Sequence, residues 1–415
     1  MKVVYQICCG VDVHKKFLIG TIISTTKEIQ PHYEKKRFST HNGDLNRFAD
    51  WLIEHNCYTV CMESTGKYWV PVYNVLEMRG LNVTIANPKW VRAVKGNKDD
   101  AKDSKWIGDL FRLGLVPGSF IPSKEFRILR ELTRYRSKLV AMKSSEKNRF
   151  QNAFTVCNVA LDHVVSDMFG ESASGITDYL LTTDNFDPEH CKSLLKGSLK
   201  KKAGSVVESI EGYTISPEQK ARIQIVKEHL QQIEDAIKKV DAIIFSMIAK
   251  YLGIIELLCS IPGFDKRSAI TVISEIGTDM SQFGNSKRLC RWAGLTPGNN
   301  ESAGKKKSVR ISRAGVYLKP ALVEVAHAAV KSTTSPYYKV KYEQISKRRG
   351  KKRAIIAIAR MILTAVFSML STGEVWNPSD LSRFDLSEQD AQKLKAVKIK
   401  KAIAFLSAQG INVSI

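Results

Sequence analysis

Residues 10–15 read Gly10-Val11-Asp12-Val13-His14-Lys15, and this short stretch decides how the first part of the chain folds. Apolar residues precede it, and a second apolar run follows from Phe17 to Ile23. Two apolar runs separated by a few polar residues predict a β-hairpin. Asp12 then falls inside a buried strand, where an ionised carboxylate is costly unless a cation or hydrogen bonds meet it. On this stretch alone, Asp12 is either a structural hydrogen-bond acceptor or part of a site.

Further acidic residues follow at places where they can meet Asp12. Glu63 ends the apolar run 58–62, and Asp99, Asp100 and Asp103 open a helix after a predicted strand over 82–86. Asp100 and Asp103 are spaced i,i+3, so both can lie on one side of that helix. Carboxylates brought together repel one another, and a divalent cation is the usual remedy. The sequence therefore predicts an acidic metal site.

The order of predicted elements over residues 1–120 is β-β-β-α-β-α-β-α. The third strand covers 36–39, the helices cover 44–54 and 70–78, and the fourth strand ends at Glu63. Three antiparallel strands followed by β-α units predict an α/β domain with the ribonuclease H-like fold, a mixed sheet with helices on its faces. In that fold acids stand along the first strand, at the end of the fourth and on a late helix, which are the positions of Asp12, Glu63 and Asp100/Asp103.

Composition narrows the class of partner. The chain has 415 residues and a net charge of +23, which favours a polyanionic partner, with nucleic acid first. Eight cysteines occur without a CxxC pair, so neither a zinc site nor a disulfide framework is expected. The N-terminus does not resemble a signal peptide, and no apolar run approaches the roughly 18 residues of a membrane span. We expect a cytoplasmic protein with no membrane partner.

Residues 121–250 are expected to be helical, with a weakly patterned insertion at 161–215 whose glycines and serines indicate loops. A basic helix over 123–160 includes Arg130 and Arg134, and its charge favours contact with phosphates over a merely solvated face. Ser216-Pro217-Glu218-Gln219 is a strong helix start. The apolar 3-4 stripe that follows predicts a coiled-coil seam, which packs either against the 123–160 helix or against a second copy.

Residues 251–372 form a third region, and 373–415 a tail that looks peripheral. Ile261-Pro262-Gly263 resembles a helix-hairpin-helix turn, whose backbone N–H groups approach phosphate. A polar loop then carries Ser302, which by spacing alone is more typical of a turn residue than of a nucleophile. Cations that could contact nucleic acid follow the loop: Lys305, Lys306, Lys307, Arg310 and Arg313.

Seven motifs in this order resemble the DEDD-type insertion-sequence transposases of the IS110 family. They span residues 5–372 and read Gly10–Lys15, Met62-Glu63-Ser64-Thr65-Gly66, Lys98–Asp103, Ile261-Pro262-Gly263, Ala293-Gly294-Leu295-Thr296-Pro297, Glu301-Ser302 and Ile311-Ser312-Arg313-Ala314-Gly315. The chain departs from the family pattern at Asp99, where threonine is usual, and at Ala303-Gly304, where glycine usually follows the serine directly. Ser308 is the substitute nucleophile that the second departure leaves open.

The resemblance implies a DNA recombinase guided by a bridge RNA and acting as a homo-oligomer. The family's four acids correspond to Asp12, Glu63, Asp100 and Asp103, which would hold Mg²⁺ in a RuvC-like domain. Its nucleophilic serine corresponds to Ser302 of a separate transposase domain, and the two domains would form a composite active site. The alternatives are a RuvC-like Holliday-junction or structure-specific endonuclease that uses water as nucleophile, and a nucleic-acid-binding protein without catalysis. A covalent protein–DNA adduct would distinguish the recombinase from both alternatives.

Overall fold

The computed structural model describes residues 2–25, 30–64, 66–91, 100–183, 185–298, 300–302, 305–308, 310–333 and 335–380, and beyond these only positions 392, 396, 399, 400 and 403. Within these ranges the backbone alone is described at 89–90, 100–101, 300–302 and 305–308. The chain divides into an N-terminal unit, Met1–Ile121, and a C-terminal unit, Pro122–Ile415.

The N-terminal unit is built on a five-stranded mixed sheet. Its strands are β1 (Ile7–Val13), β2 (Phe17–Thr25), β3 (Pro31–Ser39), β4 (Thr59–Glu63) and β5 (Asn82–Ala86). Their order across the sheet is β3-β2-β1-β4-β5. β1, β2 and β3 are antiparallel neighbours, whereas β4 runs parallel to β1 and β5 parallel to β4. The sheet agrees with the predicted ribonuclease H-like architecture.

Helices cover both faces of this sheet: α1 (Asn42–Glu54), α2 (Trp69–Met78), α3 (Pro88–Val91) and α4 (Asp100–Arg112). α1 and α2 bury Leu45, Phe48 and Leu76 against one face, together with Val11 and Met62. Side chains on the other face, including Cys8 and Cys61, pack with Ile107 and Phe111 of α4. The alternation of strand side chains between the two faces thus gives one core above the sheet and one below it.

The cysteines behave as the small apolar residues that the sequence predicts. All eight are free thiols, and seven of them are buried. Burial raises the pKa of Cys8, Cys57 and Cys61 to about 12, so these thiols stay protonated at neutral pH.

Two long helices form the spine of the C-terminal unit, α5 (Lys124–Thr155) and α9 (Pro217–Ile248). Ion pairs join Arg136 to Asp241 and Lys143 to Glu234, so residue numbers fall on one helix as they rise on the other. The helices are therefore antiparallel. The apolar stripe of α9, with Ile223, Leu230, Ile233, Val240 and Ile244 buried, packs against α5 of the same chain. The stripe thus packs within the chain and does not require a second copy, and a coiled coil stays a prediction.

The insertion between these helices is a small helical core rather than a loop. It contains α6 (Glu171–Thr182), α7 (Pro188–Ser193) and α8 (Ala203–Glu208), with 3-10 turns at Leu161–His163 and Gly197–Lys202. Ile176, Leu180 and Val206 bury their side chains with Phe150 and Phe154 of α5. The prediction of loops was wrong here, because Ser172 and Gly175 lie inside α6, whose apolar side chains override their low helix propensity.

The last part of the unit is helical, as predicted. It contains α10 (Leu252–Cys259), α11 (Lys266–Ile276), α12 (Ser286–Trp292), α13 (Leu318–Lys331), α14 (Tyr337–Arg349) and α15 (Lys351–Thr372), with 3-10 turns at Ala249–Tyr251 and Ser281–Phe283. A two-stranded hairpin, β6 (Asn300–Ser302) and β7 (Lys305–Ser308), stands between α12 and α13. After α15 the chain folds back, and Trp376 is buried with its indole N–H donating to the Tyr338 hydroxyl. The start of the tail is therefore part of the packed unit.

Two described helical segments, Pro217–Cys259 and Lys351–Thr372, are long and apolar enough to cross a membrane by length and composition alone. Core helices meet the same standard. α15 buries Ile358, Ile362 and Val366 within its unit and carries Arg360 near its middle, which fits a core helix. The absence of a membrane partner stays a prediction.

Candidate functional site

Asp12 and Glu63 come together because two parallel strands end side by side. Val11 of β1 is the register partner of Met62 of β4, so Asp12 and Glu63 are the next residues along the two strands. Cys8 and Cys61 belong to the core beneath α4, and period-two alternation places Asp12 and Glu63 on that same face. The two acids that the sequence singled out on strands therefore share one face and one end of the sheet.

α4 lies across this face with its N-terminal end toward the acids. A Cβ built on Gly10 would lie 2.2 Å from the carbonyl oxygen of Ser104 and 2.3 Å from the backbone nitrogen of Gly108, so backbone meets backbone at this crossing. At the other end of α4, the Arg112 carbonyl accepts from the Tyr5 N–H, 3.2 Å away, near the start of β1. α4 and β1 are therefore antiparallel, and the first turn of α4 approaches Asp12.

Asp12 and Asp100 lie at similar distances beyond the crossing of β1 and α4. Asp12 lies two residues beyond Gly10, an advance of about 7 Å along a strand. Asp100 lies four residues before Ser104, an advance of about 6 Å along a helix. Asp103 directly precedes Ser104, whose hydroxyl lies 2.8 Å from that of Thr21 and helps to fix the helix on the sheet. Asp99, the alternative to Asp100, lies outside the described residues.

His14 is the neighbour of Asp12 that sequence reasoning missed. Its Nε2 lies 3.0 Å from Asp12 Oδ2, and the Asp12 side chain is 17% exposed. The His14 ring stacks on the Phe17 ring, with 4.6 Å between the ring centroids. The Arg37 guanidinium carbon lies 4.0 Å from the centroid of the same Phe17 ring. The i,i+2 spacing of Asp12 and His14 on a strand was the available signal, since such residues share a face.

The donor chemistry of this end of the sheet suits a hard divalent cation, which prefers carboxylate oxygens. Asp12 and Glu63 offer such oxygens from adjacent strand ends, and Asp103 offers another from α4. Among the described residues, no three His, Cys, Asp or Glu side chains gather closely enough to hold a metal ion. The side chain of Asp100 lies outside that description, so the four-acid set stays a prediction.

Ser302 is the last residue of β6 and stands at the end of a hairpin. Its register partner is Lys305, and Glu301 pairs with Lys306. The base of the hairpin is fixed by the Pro297–Ile311 bridge and by the Gly298 N–H, which donates to the Arg310 carbonyl at 3.0 Å. Ser302 and the predicted lysines therefore occupy backbone positions on the two paired strands of one hairpin, whose base is fixed.

Arg130 and Arg134, predicted to contact phosphates, have internal partners instead. Arg134 donates from Nε and Nη2 to the two carboxylate oxygens of Glu275, at 2.7 and 2.8 Å. Arg130 is 15% exposed, forms a second ion pair with Glu275 and donates to the Ser274 carbonyl. Burial lowers the pKa of Arg130 to about 10. The structure gives both arginines the role of joining α5 to α11.

Gly263 also has a structural role. With φ near +87°, it faces α13 so closely that a Cβ would lie 2.5 Å from the Ala329 nitrogen and the Val325 carbonyl oxygen. The next helix, α11, has its N-terminus capped by Asp265, which accepts from the Ser268 N–H at 2.7 Å. The Asp265 carboxylate thus already accepts from a backbone N–H at this helix N-terminus, where a phosphate would otherwise be expected to bind. Arg310 and Arg313, in contrast, are exposed.

Comparisons with known proteins find likeness in both units. The DEDD-type IS110 family model, described as "Transposase", matches residues 9–158. The model described as "Transposase IS116/IS110/IS902 family" matches residues 255–343. A relative, "Transposase for insertion sequence element IS1111A" of Coxiella burnetii (strain RSA 493 / Nine Mile phase I), is 29% identical over 120 residues. Those residues are 28% of this chain and 33% of the relative, so the chain spans about a third of the length of the curated relative that it matches.

Proposed function

Because the chain belongs to the IS110 family of transposases, we propose that it cuts and rejoins the DNA of an insertion sequence, with a RuvC-like acidic site in its N-terminal unit. The single observation that carries the proposal is the antiparallel crossing of α4 over β1. That crossing brings the first turn of α4 to the end of the sheet where Asp12 and Glu63 lie.

Asp12, Glu63, Asp100 and Asp103 would hold one or two Mg²⁺ ions. The metal would supply positive charge to the scissile phosphate and to the oxygen that leaves. His14 holds the Asp12 carboxylate through its 3.0 Å contact and so keeps one acid oriented. The close backbone contact at Gly10 fixes the separation of α4 from β1, on which the spacing of the acids depends.

Ser302 is the proposed nucleophile. Its oxygen forms a bond to phosphorus as the bond from phosphorus to the leaving strand oxygen breaks. The serine loses a proton, and the leaving oxygen gains one. Attack by the hydroxyl of an incoming strand then reverses the step and frees Ser302, so rejoining needs no high-energy cofactor. Lys305, Lys306, Lys307, Arg310 and Arg313 are proposed to hold the nearby phosphates.

The proposed partners follow from the family and from the charge. They are the element's DNA ends, a target DNA, a bridge RNA that selects them, and further copies of the chain. The place of action is proposed to be the cytoplasm. A net charge of +23 supports a polyanionic partner without choosing between DNA and RNA.

The test incubates the protein with DNA carrying the element ends, the flanking RNA and Mg²⁺, and looks for protein–DNA adducts after denaturation. We expect the wild type to form an adduct on the peptide containing Ser302. Ser302→Ala and Asp12→Asn should each lower strand exchange at least about 10³-fold while binding persists. Asp50→Asn, an acid paired with Arg79 on the surface, is the matched control and should keep full activity.

Other outcomes choose among the alternatives. Mg²⁺-dependent cleavage by Ser302→Ala without an adduct would show a RuvC-like endonuclease that uses water. An adduct only on Ser308 would move the nucleophile to the other strand of the hairpin. A wild type that binds nucleic acid but cuts nothing with any divalent cation would be a binding protein.

A further inference from the structure

A basic groove of about 1270 Å³ lies within the C-terminal unit. One wall is α15, another is the chain that folds back over residues 374–379, and the base of the Ser302 hairpin contributes Pro297, Arg310 and Ile311. The groove is thus continuous with the support of the proposed nucleophile, and three residues of the family motifs, Leu295, Pro297 and Ile311, help to line it.

The lining residues of α15 follow helical spacing. They recur at 352–353, 356–357, 360–361, 364–365, 368–369 and 372. From Lys352 to Arg360 the helical rise is about 12 Å, whereas Arg349 is the last residue of α14 and precedes Gly350. This is one continuous face of the helix, because residues three and four apart are neighbours on a helix surface.

The two halves of this face differ in chemistry. Its N-terminal half carries Lys352, Arg353 and Arg360, and Arg349 at the end of α14 lines the same groove; all four side chains are exposed. Within the part of the chain that the structure describes, no carboxylate forms an ion pair with any of these four cations, and Glu374 is the one acid in the lining. A row of cations left without acidic partners is the charge pattern that accompanies phosphate binding.

The C-terminal half of the face is apolar. Met361, Ala365 and Met369 line it, and Trp376 closes it from the returning chain. Trp376 is held by its backbone N–H, which donates to the Ser260 hydroxyl at 3.0 Å, and by its indole contact to Tyr338. This end of the groove is therefore a braced apolar surface beside a row of cations.

We propose that this groove binds a single-stranded segment of nucleic acid, with its phosphates on Arg349, Lys352, Arg353 and Arg360 and an unpaired base against Met361 and Ala365. The inference rests on the proposed function and adds a site to it. A duplex keeps its bases stacked inside, so it would contact only the cations of the groove and not its apolar half. A single strand uses both halves of the groove, since unpaired bases bury their faces on apolar and aromatic side chains.

The test measures the affinity of the full-length protein for labelled dT12 and U12 by fluorescence anisotropy across a range of salt concentrations. The double variant Arg353→Gln/Arg360→Gln removes two groove cations. Lys347→Gln/Arg348→Gln is the matched control, because it removes two exposed cations of α14 that do not line the groove. Both double variants change the net charge equally.

The expected change follows from counterion release. Each phosphate contact on a single strand adds about 0.7 to the salt slope, so losing two lowers the slope by about 1.4 and weakens binding about tenfold at 0.15 M salt. The control should shift affinity less than about twofold. Ala365→Phe, which fills the apolar end at constant charge, should weaken single-strand binding without changing the slope. Tighter binding of dT12 would identify the strand as DNA, and tighter binding of U12 would identify it as RNA.

Equal losses in the two double variants would overturn the groove assignment, as would unchanged binding in both. A photo-crosslinking residue at Thr364, which lines the groove, gives an independent readout. Crosslinks to the oligonucleotide support the site, and crosslinks to residues 381–415 or to a second copy overturn it. Wild-type protein that forms the Ser302 adduct but binds neither oligonucleotide refutes the groove alone. Protein that neither cuts DNA nor binds a strand refutes both proposals.

Discussion

Replacing Gly10 by alanine tests whether the crossing of α4 over β1 sets the geometry of the acids. The new Cβ would lie 2.2 Å from the Ser104 carbonyl oxygen and 2.3 Å from the Gly108 nitrogen. Carbon atoms prefer contacts of about 3.5 Å, so α4 must move away from the sheet by about 1 Å. Both clashing atoms are backbone atoms, so no side-chain rotamer can relieve the overlap.

Two consequences are expected, and they can be measured separately. Overpacking of this kind costs about 1–3 kcal/mol, and the rigid partners place Gly10→Ala near the upper end, as a lower urea midpoint would show. A displacement of about 1 Å at a catalytic group lowers the rate about 10²-fold. Strand cleavage at a temperature where the variant remains folded should therefore fall by that factor.

Two other glycine-to-alanine variants serve as controls for Gly10→Ala. A Cβ on Gly108 would meet the Ile23 Cδ1 atom at 2.6 Å, and this flexible side-chain end can turn aside. Its backbone contacts, to the nitrogen and Cα of Gly10, are 3.2 and 3.3 Å, longer than those of a Cβ on Gly10, so Gly108→Ala should be milder. Gly43 in α1 meets only an Arg47 nitrogen at 4.0 Å, so Gly43→Ala should be neutral or slightly stabilising. Gly10→Ala protein with wild-type stability and full cleavage would refute the proposed link between this contact and the acidic site.

Two more predictions concern stability. Glu275→Gln leaves Arg130 buried without its carboxylate and should lower the free energy of unfolding by about 3 kcal/mol. Asp50→Asn on the surface should change the free energy of unfolding by less than about 1 kcal/mol. Equal urea midpoints for the two variants would contradict the structural role of Glu275. The hydroxyl and N–H of Ser39, followed by Arg47, hold the pKa of Asp44 down to about 2. Because the pKa of Asp44 is lowered on folding, its contribution is present above about pH 4 and is lost as the pH falls toward 2. The difference in thermal midpoint between wild type and Asp44→Asn should therefore shrink over that range, and a constant difference would exclude Asp44 as its source.

Local signals in the sequence were sufficient for most elements. β5 occupies the predicted 82–86, and α1 and α2 begin within two residues of the predicted starts. The capping box at Ser216 is present, with Ser216 and Gln219 bonded in both directions. These features depend on residues a few positions apart, so periodicity and capping chemistry can specify them.

Features that depend on distant residues were not predictable. Gly10 and Ser104 stand 94 positions apart, and nothing in either neighbourhood shows that their backbones touch. The Arg134–Glu275 pair spans 141 positions. Asp12 and Glu63 could be placed on strands, but their adjacency needed the strand order, which the ribonuclease H-like pattern supplied. The acidic end of the sheet was therefore foreseeable, and the contact that fixes its spacing was not.

The charge of the chain can be assigned to functions only after the internally paired cations are identified. The cations of α5 supported the prediction of phosphate binding, yet Arg130 and Arg134 bind Glu275, and Arg136 binds Asp241. A phosphate could bind these side chains only by breaking partly buried ion pairs. Each broken pair would leave a partly buried carboxylate without its cation, which is unfavourable. The exposed cations of α15 face no such competition within the described residues. Nucleic acid is therefore expected to bind the exposed cations of α15 rather than the basic helix α5, which the sequence first favours.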